Sequence, residues 1–545
     1  MTVHSCNCSF SHPTHYCNPV QNLAARRWVT RLIIAALALI GARASAQGVG
    51  VPRFASPALP PDHWAVSAAR RAIVLGLTPR EIGWGDGSLT QAVAGWALRE
   101  ATERSTSLAP AIHDAIAADW IRFTREFPDV AARLEPQATR SSERAMSRIG
   151  YASVAAGFSS DHGQLLPARS ADKTRENVIP PEPRADVHEG DLEVRVGGLA
   201  GRYLAADAAG GRDEGDWGMH DWQVVGGVSA LAGWVGKRAL DYGPGAGGGI
   251  VFDGSAAFTG GGLMLARPIQ LPWLFRYLGR ISGETFLSRI DSSAASRHPW
   301  VFSSHVSISP HPRLLLGGTQ AFMFSGEGQP PFTFRNFKEM FLTHAIRVAG
   351  SEFENGIASV EARWRPPIPV VPAVLYVEWG TDDNHSAWIK FPGVVAGLQV
   401  ASVPGVPTLS LGLERASFAP PCTTCNGCAC NYYATWYRHY VFMDGWTLDR
   451  EPIGHPLGGD GTEWLLYGRF DNAARRFRAD GRVFARDRGR YNIYSPAREG
   501  RSVGGSAGAE YRLTTWLEAK ASTTIEHGSS GWTASSLAAQ LRWVP

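Results

Sequence analysis

Lysine is nearly absent from this chain: only five of its 53 basic residues are Lys, and the rest are Arg. Charged residues of both signs make up 19% of the 545 positions, and long charge-rich helical stretches are scarce. That poverty of charge speaks against a helical enzyme. After Ala46 no apolar run approaches the roughly 20 residues that a membrane helix needs, so passage through a bilayer would require a closed barrel of strands. Residues 1–46 hold four Arg and no acid, and taking those four from 53 leaves 49 basic against 49 acidic residues. No excess charge remains to attract nucleic acid. The preference for Arg suits carboxylate and sugar recognition, although a GC-rich coding sequence gives the same bias.

What is plentiful is glycine, at 60 residues, and tryptophan, at 19. Both favour strands joined by many turns. At the N-terminus, Arg26, Arg27 and Arg31 precede an apolar run from Leu32 to Ile40, and Ala44-Ser45-Ala46 supplies a small-residue cleavage site. Residues 1–46 therefore read as a secretory signal peptide, with the true start expected downstream of an unusually long leader. No Cys follows the cleavage site, so a lipoprotein is not expected.

Residues 47–145 read as a small helical periplasmic domain. Trp64, Ala68, Ala72 and Leu75 recur on one helical face, as do Ile112, Ile116, Trp120, Phe123 and Phe127. The order "DHWA…LGL…GDGSLTQAVAGWAL" resembles a single S-layer-homology module, which implies peptidoglycan or another wall polymer as a candidate partner. Gln91-Ala92 stands where such modules usually carry Arg-x-Glu, so a structural plug is the alternative. A polar, Pro-containing loop is expected at 161–190.

Beyond it the period changes to two. Tyr511, Leu513, Leu517, Ala519, Ala521 and Ile525 oppose Arg512, Glu518, Lys520 and Glu526. Phe477, Ala479, Val483 and Ala485 oppose Arg478, Asp480, Arg482 and Arg486, and Leu537, Ala539, Leu541 and Trp543 oppose Gln540 and Arg542. Long strands with one apolar and one charged face suit a transmembrane barrel better than a soluble sandwich. The expectation is a mainly β protein, with residues 146–545 forming a large antiparallel transmembrane β-barrel of roughly 16–20 strands. The expected location is the outer membrane, in contact with its lipids, as a monomer.

Several motifs could carry chemistry. Trp234, Lys237, Arg238 and Tyr242 place flat aromatic faces and cations within nine residues, as a sugar site requires. Trp436, Tyr437, Arg438, His439 and Tyr440 do so again, with an interfacial aromatic girdle as the plain alternative. In "EWGTDDN", Glu378, Asp382 and Asp383 could form a lumen charge network, bind sugar, or hydrolyse a glycosidic bond as paired carboxylates. In "IGHPLGGDG", His455 and Asp460 lie in a glycine-rich segment. No Lys-Ser/Thr or helix start follows, so a phosphate cradle is excluded, and no nucleophile elbow accompanies a catalytic reading. A structural loop and a sugar-contacting loop remain. Cys422, Cys425, Cys428 and Cys430 in "CTTCNGCAC" are expected to form disulfides in an oxidising compartment, with a metal site or free thiols as alternatives. No cofactor, resident metal or catalytic residue is expected.

Four segments in order, "WVGKRALDYGPG" (234–245), "RLLLGGTQAFMFSGEGQPPFTF" (313–334), "LYVEWGTDDN" (375–384) and "HYVFMDGWTLDREPIGHPLGGDG" (439–461), resemble the capsule assembly protein Wzi family. The resemblance implies an outer-membrane lectin-like barrel that binds capsular or related surface polysaccharide without turnover. Its polysaccharide-binding candidates are Trp234, Lys237, Arg238, Tyr242, Glu378, Asp382, Arg438, His439, His455 and Asp460. A porin-like channel is the rival reading, and an outer-membrane glycan- or lipid-modifying enzyme a more distant one.

Overall fold

The computed structural model describes residues 52, 54–79, 82, 84, 87–135, 149–163, 165–166, 182–183, 187–213, 216–228, 230–290, 298–343, 347–348, 351–352, 354–368, 371–382, 392–418, 436–439, 442, 445–448, 451–472 and 476–544. The signal peptide, Asp383, Tyr440 and the four cysteines of 422–430 lie outside them.

Near the N-terminus are α1 (Trp64–Val74), α2 (Gln91–Arg104), α3 (Pro110–Glu126) and α4 (Pro128–Leu134). Their starts are set locally. His63 caps α1 by accepting the Ala65 N–H at 3.2 Å, Thr90 caps α2 by accepting that of Val93 at 3.3 Å, and α3 and α4 open on Pro. Trp64, Leu98, Phe123 and Phe127 form their shared core. Gly95 lets α2 touch the Phe123 ring: a Cβ there would lie 2.4 Å from it.

Most of the rest is one closed sheet. Its strands are β1 (Tyr151–His162), β2 (Val187–Ala200), β3 (Leu204–Asp213), β4 (Asp216–Val228), β5 (Leu231–Tyr242), β6 (Phe252–Leu265), β7 (Arg280–Arg289), β8 (Trp300–His311) and β9 (Leu314–Phe324). They continue as β10 (Glu354–Trp364), β11 (Ala373–Asp382), β12 (Gly393–Val400), β13 (Leu409–Ser417), β14 (Gly461–Asn472), β15 (Phe477–Arg488), β16 (Gly500–Arg512), β17 (Leu517–Gly528) and β18 (Thr533–Trp543). Each pairs antiparallel with its neighbour in sequence, and β1 closes the ring on β18, from Val154 opposite Trp543 to His162 opposite Ser535. The 18 strands fall within the expected range. The polar segment at 161–190 is shorter at both ends than its composition suggests. β1 runs on to His162 and β2 begins at Val187, because lumen-facing strand positions accept polar residues.

The faces are inverted relative to a soluble protein. Val235, Leu263, Val306, Leu466, Val483, Ile525 and Leu541 are exposed, whereas Glu284, Glu361, Glu378, Glu414, Glu463, Glu518 and Glu526 are buried. Exposed Trp364, Tyr511, Trp516 and Trp543 ring the end beside the helices, and exposed Trp217, Trp379 and Trp464 ring the other. An apolar outer band between two aromatic girdles is the lipid-facing surface of a membrane barrel. No helix among the described residues is long and apolar enough to cross a membrane.

The helices sit against the inner wall at one end, called here the helical end. Ala58 and Gln223 of β4 exchange two hydrogen bonds, of 3.0 and 2.7 Å. Arg71 pairs with Asp471 of β14 at 3.0 Å, Asp119 with Arg478 of β15, Arg122 with Glu510 of β16 at 2.7 Å and with Glu518 of β17, and Glu126 with Arg542 of β18. Burial alone would raise the Glu126 carboxyl, but Arg542, His63 and Arg122 outweigh it and hold it well below the ordinary range.

Candidate functional site

The site is built at the opposite, loop-bearing end. After β5 the chain does not turn directly into β6. Residues 243–251, "GPGAGGGIV", fold into the lumen first. Gly243 and Gly248 take φ of 109° and 132°, and a Cβ on Gly243 would lie 2.6 Å from Glu378, one on Gly247 2.7 Å from Glu414. The glycines therefore allow backbone to approach wall carboxylates. Glu414 accepts the N–H groups of Ala246 (2.6 Å) and Gly247 (2.9 Å), and Glu378 accepts that of Ile250 (3.1 Å). Ser359 and Tyr376 donate hydroxyls to Glu378 (2.7 Å) and Glu414 (2.6 Å), so both acids are held from two sides.

Two further segments lock onto this one. The Tyr437 hydroxyl donates to Ile250 O at 2.6 Å and accepts the His455 N–H at 3.0 Å, while the Tyr437 N–H donates to Asp382 at 2.7 Å. The Trp446 indole donates to Val251 O at 3.0 Å. Arg438 donates to Asn492 O at 3.1 Å, Asn492 donates to the carbonyls of Leu457 (2.9 Å) and Asp460 (3.0 Å), and Asp460 accepts the Tyr491 N–H at 3.1 Å. His439 accepts the Phe442 N–H at 3.2 Å. Burial pushes the imidazoles of His439 and His455 down to about 3 and about 4, so both are neutral near pH 7; for His455 the opposing pull of Glu463 is smaller.

Thus Glu378, Asp382, Arg438, His439, His455 and Asp460 converge on one interlocked body, and each bonds to backbone or anchors it. Trp234 and Arg238 form a second group lower in the wall. The Arg238 guanidinium lies 4.0 Å from the Trp234 ring centre, and both contact Glu284, Trp234 through a 3.0 Å hydrogen bond. Tyr242 stacks on His305 at 4.8 Å between ring centres. Lys237 is apart from them, on the outer face of β5 with exposed Val235. Eight of the ten candidates are buried; Asp382 and Lys237 are half-buried.

His455 and Asp460 do not contact each other in any described hydrogen bond or ion pair, so a catalytic pair does not form. His455 instead faces Glu414 and Glu463, whose ligand atoms with its own lie within 4.8 Å of one another. Its Nδ1 accepts the Leu457 N–H at 3.2 Å, which leaves the proton on Nε2, pointed at the carboxylates. Glu463 is also paired with Arg486. A metal on Nε2 would have to reverse that tautomer. Glu284, Glu414, Glu463 and Asn492 were not singled out from sequence. The signal for the three glutamates is an acid at an inward strand position, as in "LGLERAS" and "GTEWLLY" once these are read as strands; Asn492 lies in the connection after β15 and carries no such signal.

A sequence comparison with curated proteins finds no match. The fold is similar to Wzi of Escherichia coli, described as an outer-membrane protein involved in group 1 capsule assembly and a carbohydrate-binding β-barrel. That structure aligns with a TM-score of 0.63 and 14% identity over 88% of this chain and 98% of its own. Pseudomonas aeruginosa OpdQ aligns with a TM-score of 0.42 and 10% identity over 72% of this chain and 97% of its own. The family model for the capsule assembly protein Wzi matches residues 129–534, most of the chain, and the protein belongs to that family.

Proposed function

We propose that the protein is an outer-membrane barrel that binds capsular or related surface polysaccharide at its loop end and assists its assembly at the cell surface. Long connections gather at the loop end and short turns at the helical end, the asymmetry of barrels whose long loops face outward. The helices then lie on the periplasmic side. The observation that carries the reading is the filled upper lumen. Ile250, Val251, Tyr437, Trp446, His455 and Leu457 are each 0% exposed, and Ile453 is 1% exposed. A barrel packed in this way presents a surface rather than a porin's pore.

The ten sequence candidates act, in this reading, mainly by holding that surface. Contact with sugar falls to exposed side chains of the loop end: Phe334 supplies a stacking face, and Arg490 with neighbouring Tyr491 supplies a cation on an aromatic. Binding is non-covalent and the polymer leaves unchanged.

The test is equilibrium binding of the detergent-solubilised protein to surface polysaccharide from its own host, with Phe334→Ala and Arg490→Ala beside Lys237→Ala. Saturable binding weakened by the first two and untouched by the third is expected. Absence of binding by a folded barrel overturns the proposal, and shortened polysaccharide chains would replace it with an enzymatic one.

A further inference from the structure

The turns at the helical end are short except between β6 and β7, where residues 266–279 run out as a finger. Ile269-Gln270 pair with Ile281 and Arg280, and a six-residue 3-10 helix, Trp273–Leu278, follows with the sequence WLFRYL. Its apolar side chains are not packed: Trp273 is 86% exposed, Leu274 80% and Tyr277 66%. Such a protruding apolar patch marks an interaction surface.

The backbone is bent to hold it out. Trp273 has φ 59°, a left-handed conformation that non-glycine residues rarely adopt. At the far end Gly279 has φ 73°, and a Cβ there would meet Ser309 O at 1.7 Å. The finger is thus fixed at both ends with its rings outward.

Behind it lies a cleft of about 370 Å³ between the helical domain and the rim, lined by Arg276, Arg280, Arg365, Trp84 and Gln270. The Arg365 N–H donates to Arg313 O at 2.8 Å, which sets these two arginines side by side. The Arg365 guanidinium donates to two carbonyls, Ile73 O at 2.9 Å and Pro312 O at 3.3 Å, and Arg276 lies over Tyr277. Among the described residues, Arg276, Arg313 and Arg365 make no ion pair, whereas the lumen arginines Arg122, Arg195, Arg478 and Arg486 each pair with carboxylates. Directly beside this basic rim, Leu316 and exposed Trp364, the residue before Arg365, belong to the lipid-facing band.

We propose that the finger and the arginines behind it bind an anionic phospholipid of the leaflet at the helical end. Trp273, Leu274 and Phe275 enter the acyl boundary, and Arg276, Arg313 and Arg365 hold the phosphodiester. Continuity with the apolar band selects a lipid over a soluble partner, and the single sign of the charge selects an anionic headgroup over a zwitterionic one.

The test is native mass spectrometry of the full-length protein in detergent with phosphatidylglycerol or phosphatidylcholine of the same chain length. Preferential retention of phosphatidylglycerol is expected. Each of Arg276→Gln, Arg313→Gln and Arg365→Gln should lower it about fivefold, and the triple variant should retain both lipids equally. Heat-modifiable migration shows that each variant is a folded barrel, and the single change Arg276→Gln on the exposed finger serves if the triple variant does not fold. Equal retention of the two lipids by the unmodified protein, or unchanged preference in the folded variants, overturns the proposal. Displacement by glycerol phosphate at equal concentration also overturns it, by showing a phosphate site that needs no acyl chains. None of these outcomes depends on polysaccharide binding.

Discussion

The two ends of this barrel are filled by different physics. At the helical end a separately folded group of helices is tied to the wall by arginine–carboxylate pairs that reach β14, β15, β16, β17 and β18 in turn. At the loop end, segments of the wall's own connections fold inward and join the wall in one apolar cluster that includes Trp234, Phe252, Phe286, Tyr437 and Trp446. There Glu378 and Glu414 accept backbone N–H groups of the inward-folded segment, while Glu463 and Glu526 keep arginine partners within the wall. The difference implies a docked plug at one end and an extension of the core at the other.

The largest effect should come from the core. Trp446→Ala removes a fully buried ring and its hydrogen bond to Val251 O, and should cost about 3–5 kcal/mol, read as a fall in the temperature at which the barrel loses heat-modifiable migration. Arg122→Ala removes the arginine paired with Glu510 and one of the three paired with Glu518, at a cost of about 3 kcal/mol. Its loss should raise hydrogen exchange in 64–134 while leaving 445–460 protected, which separates the two ends. Glu378→Leu strips the Ile250 N–H of its acceptor and should cost about 1–3 kcal/mol, with exchange rising at 243–251 instead.

Acid should distinguish the ends as well. His439 and His455 have lowered values of about 3 and about 4 against 6.5 unfolded. As pH falls below 6.5 the unfolded chain takes up protons that the folded loop end refuses, so loop-end stability declines from there to about pH 4 for His455 and about pH 3 for His439. Glu126 is lowered from 4.5, so its contribution is fully present above that pH and is lost only below it. Between pH 6.5 and 4.5, exchange at 445–460 should therefore rise before exchange at 64–134. The smallest effect is expected from Arg70→Ala, since the pair with Asp241 is partly exposed; a change of no more than about 1 kcal/mol in the same melting assay would fit.

The wall was readable in the sequence because a strand's period depends only on neighbouring residues. The alternation in 477–486, 511–526 and 537–543 assigned lipid and lumen faces, and the helical period at 64–75 and 112–127 set the N-terminal region apart. The interior was harder. Trp234 beside Arg238 reads the same whether it awaits a sugar or packs as a cation–π pair, because Glu284, which both contact, lies on another strand. His455 before Pro456 marked a loop, but its inward course depends on Tyr437 and on acids such as Glu414 and Glu463 that look like ordinary lumen charges. Cys422, Cys425, Cys428 and Cys430 lie outside the described residues.

The most direct test of a barrel filled from both ends is conductance of the purified protein in planar bilayers. The account predicts no stepwise openings from the unmodified barrel, and none from Trp446→Ala while the helices remain docked. Sustained porin-like openings from the unmodified, folded protein would contradict it.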